Sequence, residues 1–151
     1  MRRSGSITLK TMRFLIVLLT LAGVVVSALA LHVHYSTDTE PCSINEKWDC
    51  GIVNHSPFAE IAHIPVAALG IAGYLALAGL ALARRRVLVV SAALIGLGFA
   101  LYLTHIERDV LMVYCLYCVI SLGTISLVTL LSLGWVAAGR IGRKRTPNPA
   151  A

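Results

Sequence analysis

Four long apolar stretches occupy most of this chain, at about residues 12–33, 64–83, 87–106 and 110–138. A helix needs about 20 apolar residues to cross the roughly 30 Å hydrocarbon core of a bilayer. Only 13% of the residues are charged, against about 25% in an ordinary soluble domain. The sequence therefore predicts an all-α integral membrane protein, a single four-transmembrane-helix bundle over residues 1–139 with no separate soluble domain.

Charged residues predict how this bundle is oriented. Lys and Arg mark the cytoplasmic ends of membrane helices, so we expect both termini in the cytoplasm and an outer redox loop at about 34–61. The seven Asp and Glu residues all fall in or beside the two outer connections. Residues 140–151 form a basic tail that we expect to be disordered and cytoplasmic. The basic clusters are Arg2, Arg3, Lys10 and Arg13; Arg84, Arg85 and Arg86; and Arg140, Arg143, Lys144 and Arg145.

One alternative concerns the first predicted helix. The basic start and Ala28-Leu29-Ala30 resemble a cleavable secretory signal, but the apolar run continues to Val33, so we retain it as the first helix.

The net charge of +6 follows from membrane orientation. No basic face of the kind that binds nucleic acid is predicted.

The four cysteines all fall on the outer side of the predicted bundle. Cys42 and Cys50 lie in the polar loop, whereas Cys115 and Cys118 form a C-x-x-C at the start of the fourth helix. Residues three apart share a helix face, and a helix N-terminus lowers the pKa of a thiol. Disulfides persist outside the cytosol. The arrangement predicts a dithiol relay from an aqueous thiol partner to a carrier dissolved in lipid.

Other roles for the cysteines stay open at this stage. Four cysteines could bind structural zinc, although the eight-residue spacing of Cys42 and Cys50 is unlike the short pairs of zinc sites, and we expect no metal. They could form static disulfides, with three possible pairings. A small membrane transporter or structural bundle is a further alternative, but no charged residue lies within the middle of a stretch, which argues against ion-coupled transport.

The second half of the outer loop predicts a short half-helix. Ser56 followed by Pro57 has the pattern of an N-cap and a first helical residue. The helix would cover about residues 57–62 and end before Pro65. It would lie along the membrane surface and hold Cys50 within reach of Cys115.

The ordered cysteines and several flanking residues resemble the vitamin K epoxide reductase family, in its bacterial and archaeal branch. The resemblance covers about residues 13–138, and its cysteine pattern is specific. The matching residues are Ala30-Leu31-His32-Val33, Cys42, Cys50, Ser56, Ile64-Pro65-Val66, Gly70, Tyr74, Tyr102, Cys115 and Cys118.

This resemblance implies a quinone-linked thiol oxidoreductase in a microbial plasma membrane. Electrons would pass from a separate thioredoxin-like (DsbA-like) protein to Cys42, through Cys50 to Cys115, and from Cys118 to a membrane quinone of the menaquinone, ubiquinone or vitamin K type. This flow would support disulfide formation outside the cytosol. Leu122 replaces a tyrosine that vertebrate members use to contact vitamin K, which puts epoxide reduction in doubt. DsbB-type oxidases carry their C-x-x-C early in the chain, opposite to the order here.

A quinone pocket needs apolar walls and a few polar groups aimed at the carbonyl oxygens. The candidates near the outer end are Ser56, His63, Tyr74, Tyr102 and Tyr114. Tyrosines at this depth also serve as interfacial anchors. Ser56, which the family places near the active site, could act as a helix cap alone.

Overall fold

The computed structural model describes residues 2–36, 42 and 44–144 of the chain. Long helices dominate, and all the short elements except one π-helical turn belong to the loop between the first and second of them. The elements are α1 (Arg2–Tyr35), α2 (Cys50–Asn54), a 3-10 helix (Pro57–Ala59), β1 (Glu60–Ile61), β2 (Ile64–Pro65), α3 (Val66–Leu82), α4 (Arg86–Ile106), a π-helical turn (Glu107–Leu111) and α5 (Leu116–Lys144).

Within the described residues, three segments are long and apolar enough to cross a membrane: Ile7–Tyr35, Arg86–Leu111 and Leu116–Ile141. Helix α3 is equally apolar in character but has only 17 residues. Large apolar side chains such as those of Phe14, Ile95 and Leu130 are more than half exposed on the outer surface, as lipid contact requires. The all-α membrane architecture is confirmed, whereas the count of four spans stays a prediction.

The helices enclose a continuous apolar core, because α1 packs along α3 and α5, and α4 packs along α5. At the end of this core, the Arg86 guanidinium lies 5.1 Å from the centre of the buried Trp135 ring, within cation–π range. We call the buried residues of this apolar core the core cluster: Ile16, Tyr74, Leu77, Ala81, Val89, Ala93, Ile125, Val128 and Trp135.

The helix in the outer loop lies earlier than the sequence predicts. Helix α2 begins at Cys50, because the Asp49 carboxylate accepts a hydrogen bond from the Ile52 N–H at 3.1 Å and caps it. After Ser56 the chain makes only one 3-10 turn. The chain then forms the short β1–β2 hairpin. It reverses direction at Ala62 and His63, which both have a left-handed backbone conformation. This reversal replaces the predicted half-helix over 57–62.

The start of the last helix also differs from the prediction of about residue 110. Helix α4 runs on into the π-helical turn, which ends at the left-handed Met112 (φ 55°). The next residues are extended because the Tyr114 N–H donates to the Lys47 carbonyl. Helix α5 therefore begins at Leu116, one residue after Cys115.

Both terminal helices are longer than their apolar stretches. Helix α1 begins at Arg2, and α5 continues through Lys144, so residues 140–144 are helical although the sequence suggested a disordered tail. No proline lies between Leu116 and Pro147, which leaves the helix free to continue. The remainder of the predicted tail, residues 145–151, lies outside the described residues.

Candidate active site

Three of the four cysteines meet in a buried cluster at the loop end of the bundle. A disulfide joins Cys42 and Cys50, and the Cys115 Sγ lies 3.2 Å from the Cys50 Sγ. All three are at most 1% exposed. Together with Val33 and Val53 they form the redox cluster. Cys118, which is half-buried, lies one helical turn beyond Cys115.

Backbone pairing brings these distant segments together. The Asp49 N–H donates to the Tyr114 carbonyl at 3.1 Å, and the Tyr114 N–H donates to the Lys47 carbonyl at 2.8 Å. The rings of Trp48 and Tyr114 pack with their centroids 5.6 Å apart. Because Asp49 and Tyr114 each precede a cysteine of the cluster, this pairing places Cys50 against Cys115.

Two buried polar side chains surround Cys115. The Asn54 amide donates to the Cys50 carbonyl at 2.8 Å and lies 3.6 Å from the Cys115 Sγ. The Glu107 carboxyl accepts the Cys115 N–H through Oε2 at 3.2 Å. The cluster is therefore held by hydrogen bonds as well as by apolar packing.

The electrostatic surroundings favour a thiolate at Cys115. A hydrogen bond from the Cys118 thiol lowers the pKa of Cys115 below its usual value, and the N–H groups of Tyr117 and Cys118 act in the same direction. Burial and the nearby Glu107 oppose this effect. A thiol with a lowered pKa is a better leaving group in disulfide exchange.

A cavity of about 380 Å³ lies beside the redox cluster and opens between α1, α3, α4 and α5. Its volume falls within the range of about 300–1,000 Å³ usual for small-molecule sites. Most of its lining is apolar. The polar, thiol and carboxyl groups that interrupt the lining belong to Ser27, Asn54, Ser56, Tyr74, Glu107, Tyr117, Cys118 and Ser121.

Ser56 and Tyr74, two of the residues singled out from the sequence, line this cavity. The Tyr74 hydroxyl donates to the Ser121 carbonyl at 3.0 Å and lies 2.9 Å from its Oγ. Its ring lies against Gly23 of α1, where an added Cβ would come within 2.5 Å of the ring. The Ser56 hydroxyl donates to the Val53 carbonyl at 2.8 Å and makes no cap bond to the following turn.

The other three candidates do not line the cavity. His63 is exposed in the left-handed turn that precedes β2. Tyr102 is 56% exposed on the outer face of α4. Tyr114 is engaged with Trp48 through the backbone pairing. Of the five candidates, Ser56 and Tyr74 therefore lie in the cavity wall, and quinone contact stays a prediction.

Comparison with protein families identifies the chain. The model of the Vitamin K epoxide reductase family matches residues 14–133. The chain belongs to this family. A search of curated proteins gives no significant match. Membership makes the protein a membrane oxidoreductase, and members of the family generally use a quinone and a thiol-redox partner.

In this vitamin K epoxide reductase family member, the cysteine cluster also has a spacing that a metal ion could use. The sulfurs of Cys42, Cys50 and Cys115 lie within 4.8 Å of one another. Metal ligation requires thiolates, however, and Cys42 and Cys50 are bonded to each other. The disulfide state of the cluster suits thiol exchange.

Sequence analysis missed two residues that the structure brings to the cysteines. Asn54 lies four residues after Cys50, so a helix beginning at Cys50 would have placed both on one face. Glu107 stands at the end of an apolar stretch, on the same side as the cysteines. Nothing in the sequence distinguishes it from the nearby Asp109, which is about half exposed and pairs with His105.

Proposed function

We propose that this protein is a quinone reductase and disulfide-forming thiol oxidase. It takes two electrons from a thioredoxin-like (DsbA-like) protein and passes them through Cys42/Cys50 and Cys115/Cys118 to a membrane quinone. One observation carries the proposal: Cys115 lies 3.2 Å from a sulfur of the loop disulfide, while its C-x-x-C partner lines the cavity. The relay and the acceptor site are thereby adjacent.

The exchange steps begin at the loop pair. A reduced partner attacks the Cys42–Cys50 disulfide at Cys42, and its second thiol resolves the mixed disulfide, which leaves Cys42 and Cys50 reduced. The Cys50 thiolate then attacks Cys115 of an oxidised C-x-x-C and releases Cys118. Cys42 attacks Cys50, which re-forms the loop disulfide and releases Cys115 as a thiolate. The low pKa of Cys115 favours this release.

The resulting state is the one that the structure presents: an oxidised loop pair beside two free helix thiols. From it, the dithiol Cys115/Cys118 reduces a quinone to a quinol, and its own disulfide re-forms. The two electrons of the quinol come from the two sulfurs. One of its protons comes from the Cys118 thiol and the second from water, since Cys115 is released as a thiolate. We place the quinone ring in the cavity beside Cys118, with Ser56 and Tyr74 in its walls.

We further propose four membrane spans, with α3 and the preceding β2 residues forming the second. The connectivity puts Lys10, Arg13, Arg84–Arg86 and Arg140 at the opposite end of the bundle from the redox cluster. Because basic residues favour the cytoplasmic side, both termini would be cytoplasmic and the cysteines would face outward. A microbial plasma membrane fits this orientation, and the relay would serve disulfide formation outside the cytosol.

Quinone absorbance in a detergent-solubilised preparation tests the proposal. The intact protein, supplied with a reduced thioredoxin-like dithiol protein, is expected to reduce menaquinone or ubiquinone analogues. Cys118→Ala should lose this activity, whereas Ser126→Ala, a matched small change on α5 away from the cavity, should keep it. Failure of the intact protein with both quinone classes, or full activity of Cys118→Ala, would favour a transporter or structural bundle.

A further inference from the structure

Quinone reduction in a cavity with mostly apolar walls requires a path for protons as well as for electrons. We propose that Glu107 is that path: its carboxyl takes the proton of the Cys118 thiol and delivers it to a quinone oxygen. This inference rests on the proposed quinone reduction and assigns the proton transfer to a residue of the chain.

The position of Glu107 is unusual for a carboxyl group. It is only 2% exposed, and burial of such a group is costly unless it is hydrogen-bonded. One oxygen accepts the Cys115 N–H. The other oxygen, Oε1, is buried and has no hydrogen-bond partner among the described residues. A residue that only positioned the Cys115 backbone would need just the first oxygen.

Glu107 lies beside both the proposed proton donor, the Cys118 thiol, and the cavity in which the quinone would accept the proton. Glu107 and Cys118 both line the cavity, and the Glu107 carboxyl accepts the N–H of Cys115, which lies one helical turn from Cys118. The other titratable groups in the described lining are Tyr74 and Tyr117, and the Tyr74 hydroxyl is already bonded to Ser121. Cys115 adjoins Glu107 on its other side. Glu107 is the one carboxyl in the described cavity wall.

The reaction balances as follows. The Cys118 sulfur bonds to the quinone ring while its proton passes to the Glu107 carboxylate and then to a quinone oxygen. The Cys115 sulfur attacks the Cys118 sulfur, the sulfur–ring bond breaks, and its electron pair goes to the ring. Because Cys115 reacts as a thiolate, the second proton of the quinol comes from water. Glu107 ends in the form in which it began, and the C-x-x-C disulfide is formed.

The test separates the two half-reactions by stopped-flow mixing. Glu107→Gln keeps an oxygen that can accept the Cys115 N–H but cannot carry a proton. We expect oxidation of the pre-reduced protein by menadione to slow by about a hundredfold, since general acid–base groups commonly contribute at least this much. The pH dependence of this step should flatten. Reduction of the oxidised protein by the dithiol partner should stay within about twofold of the intact rate.

Asp109→Asn, an exposed carboxyl two residues away, is the matched control and should leave both half-reactions unchanged. Glu107→Ala provides a second variant, and formate added to it should restore part of the quinone step. An unchanged quinone step in Glu107→Gln would overturn the inference, as would an equal loss of both half-reactions or the absence of rescue by formate. If menadione does not oxidise even the intact protein, the proposed function fails with it.

Discussion

The core cluster and the redox cluster are built in different ways. The core cluster joins four regular helices through apolar side chains that meet at helical spacing. The redox cluster joins the end of α1, a loop cysteine, α2 and the residue that precedes α5. The segments that position it include a π-helical turn, a left-handed Met112 and a backbone pairing between the loop and Tyr114.

Because of this difference, we expect the core cluster to determine mainly stability and the redox cluster to determine mainly thiol chemistry. Apolar side chains of similar volume can replace one another in a core at modest cost. In the redox cluster, the Cys50 and Cys115 sulfurs must stay within exchange distance, and Asn54 and Glu107 must keep their hydrogen bonds. We therefore expect substitutions in the two clusters to affect different measurements.

The largest effect should follow from Cys50→Ser, which removes the central sulfur of the relay. Thiol-driven quinone reduction should fall to background, because the reduced partner would find no Cys42–Cys50 disulfide to attack. When the dithiol protein is supplied in its disulfide form, the free Cys42 thiolate should attack that disulfide and release one partner thiolate, and the mixed disulfide should accumulate on non-reducing gels because Cys50 can no longer resolve it. Cys42→Ser is the matched control and should trap no such complex. Absence of the complex in Cys50→Ser would count against the outward role of Cys42.

The complementary substitution is Trp135→Ala in the core cluster, where the indole is 2% exposed. Removing a buried aromatic side chain costs about 3–5 kcal/mol of unfolding free energy, and the cation–π contact with Arg86 is lost as well. Denaturant unfolding in detergent measures this loss. Quinone turnover per folded molecule should stay near the intact value. A selective loss of turnover without loss of stability would contradict the separation of the two clusters.

The same division explains how much the sequence could predict. Apolar stretches of sufficient length indicated the long helices, since burial in lipid depends on composition and little on detail. The start of α5 was misplaced because the pairing of Tyr114 with Lys47 is a contact between distant segments. Asn54 and Glu107 were missed for the same reason: their roles depend on Cys115, which lies 61 and 8 residues away.

The tyrosine candidates show the same limit at a finer scale. Tyr74 lies in α3 and Tyr102 lies in α4, and both are tyrosines within apolar stretches. The sequence alone therefore does not distinguish them. Only packing distinguishes them, since Gly23 admits the Tyr74 ring into the bundle whereas Tyr102 faces outward. A family pattern therefore indicates which residues to examine, and the three-dimensional structure decides which of them reach the cavity.

A smaller effect concerns the titration of Cys115. The Cys118 thiol is the main cause of its lowered pKa, so Cys118→Ala should raise that pKa. With the loop pair oxidised, the ultraviolet absorbance of the thiolate should therefore appear at higher pH in the variant than in the intact protein. Cys118→Ser retains a hydroxyl donor and should keep part of the shift. An unchanged or lower titration midpoint in Cys118→Ala would show that other groups stabilise the thiolate.

The smallest effect is expected at Tyr74, where Tyr74→Phe keeps the ring in the cavity wall but removes the hydroxyl bonded to Ser121. This bond fixes the cavity wall and contributes about 1 kcal/mol, so its loss should loosen the wall and raise the KM for quinone by at most roughly fivefold at nearly constant kcat. Tyr102→Phe makes the same chemical change on an exposed side chain and should leave both constants unchanged. Equal effects of the two substitutions would mean that the quinone ring lies outside the cavity beside Cys118. An effect of Tyr74→Phe alone would support a quinone ring in the cavity beside Cys118. Tyr74 would then be a residue of the core cluster that also affects substrate binding, because it lines this cavity.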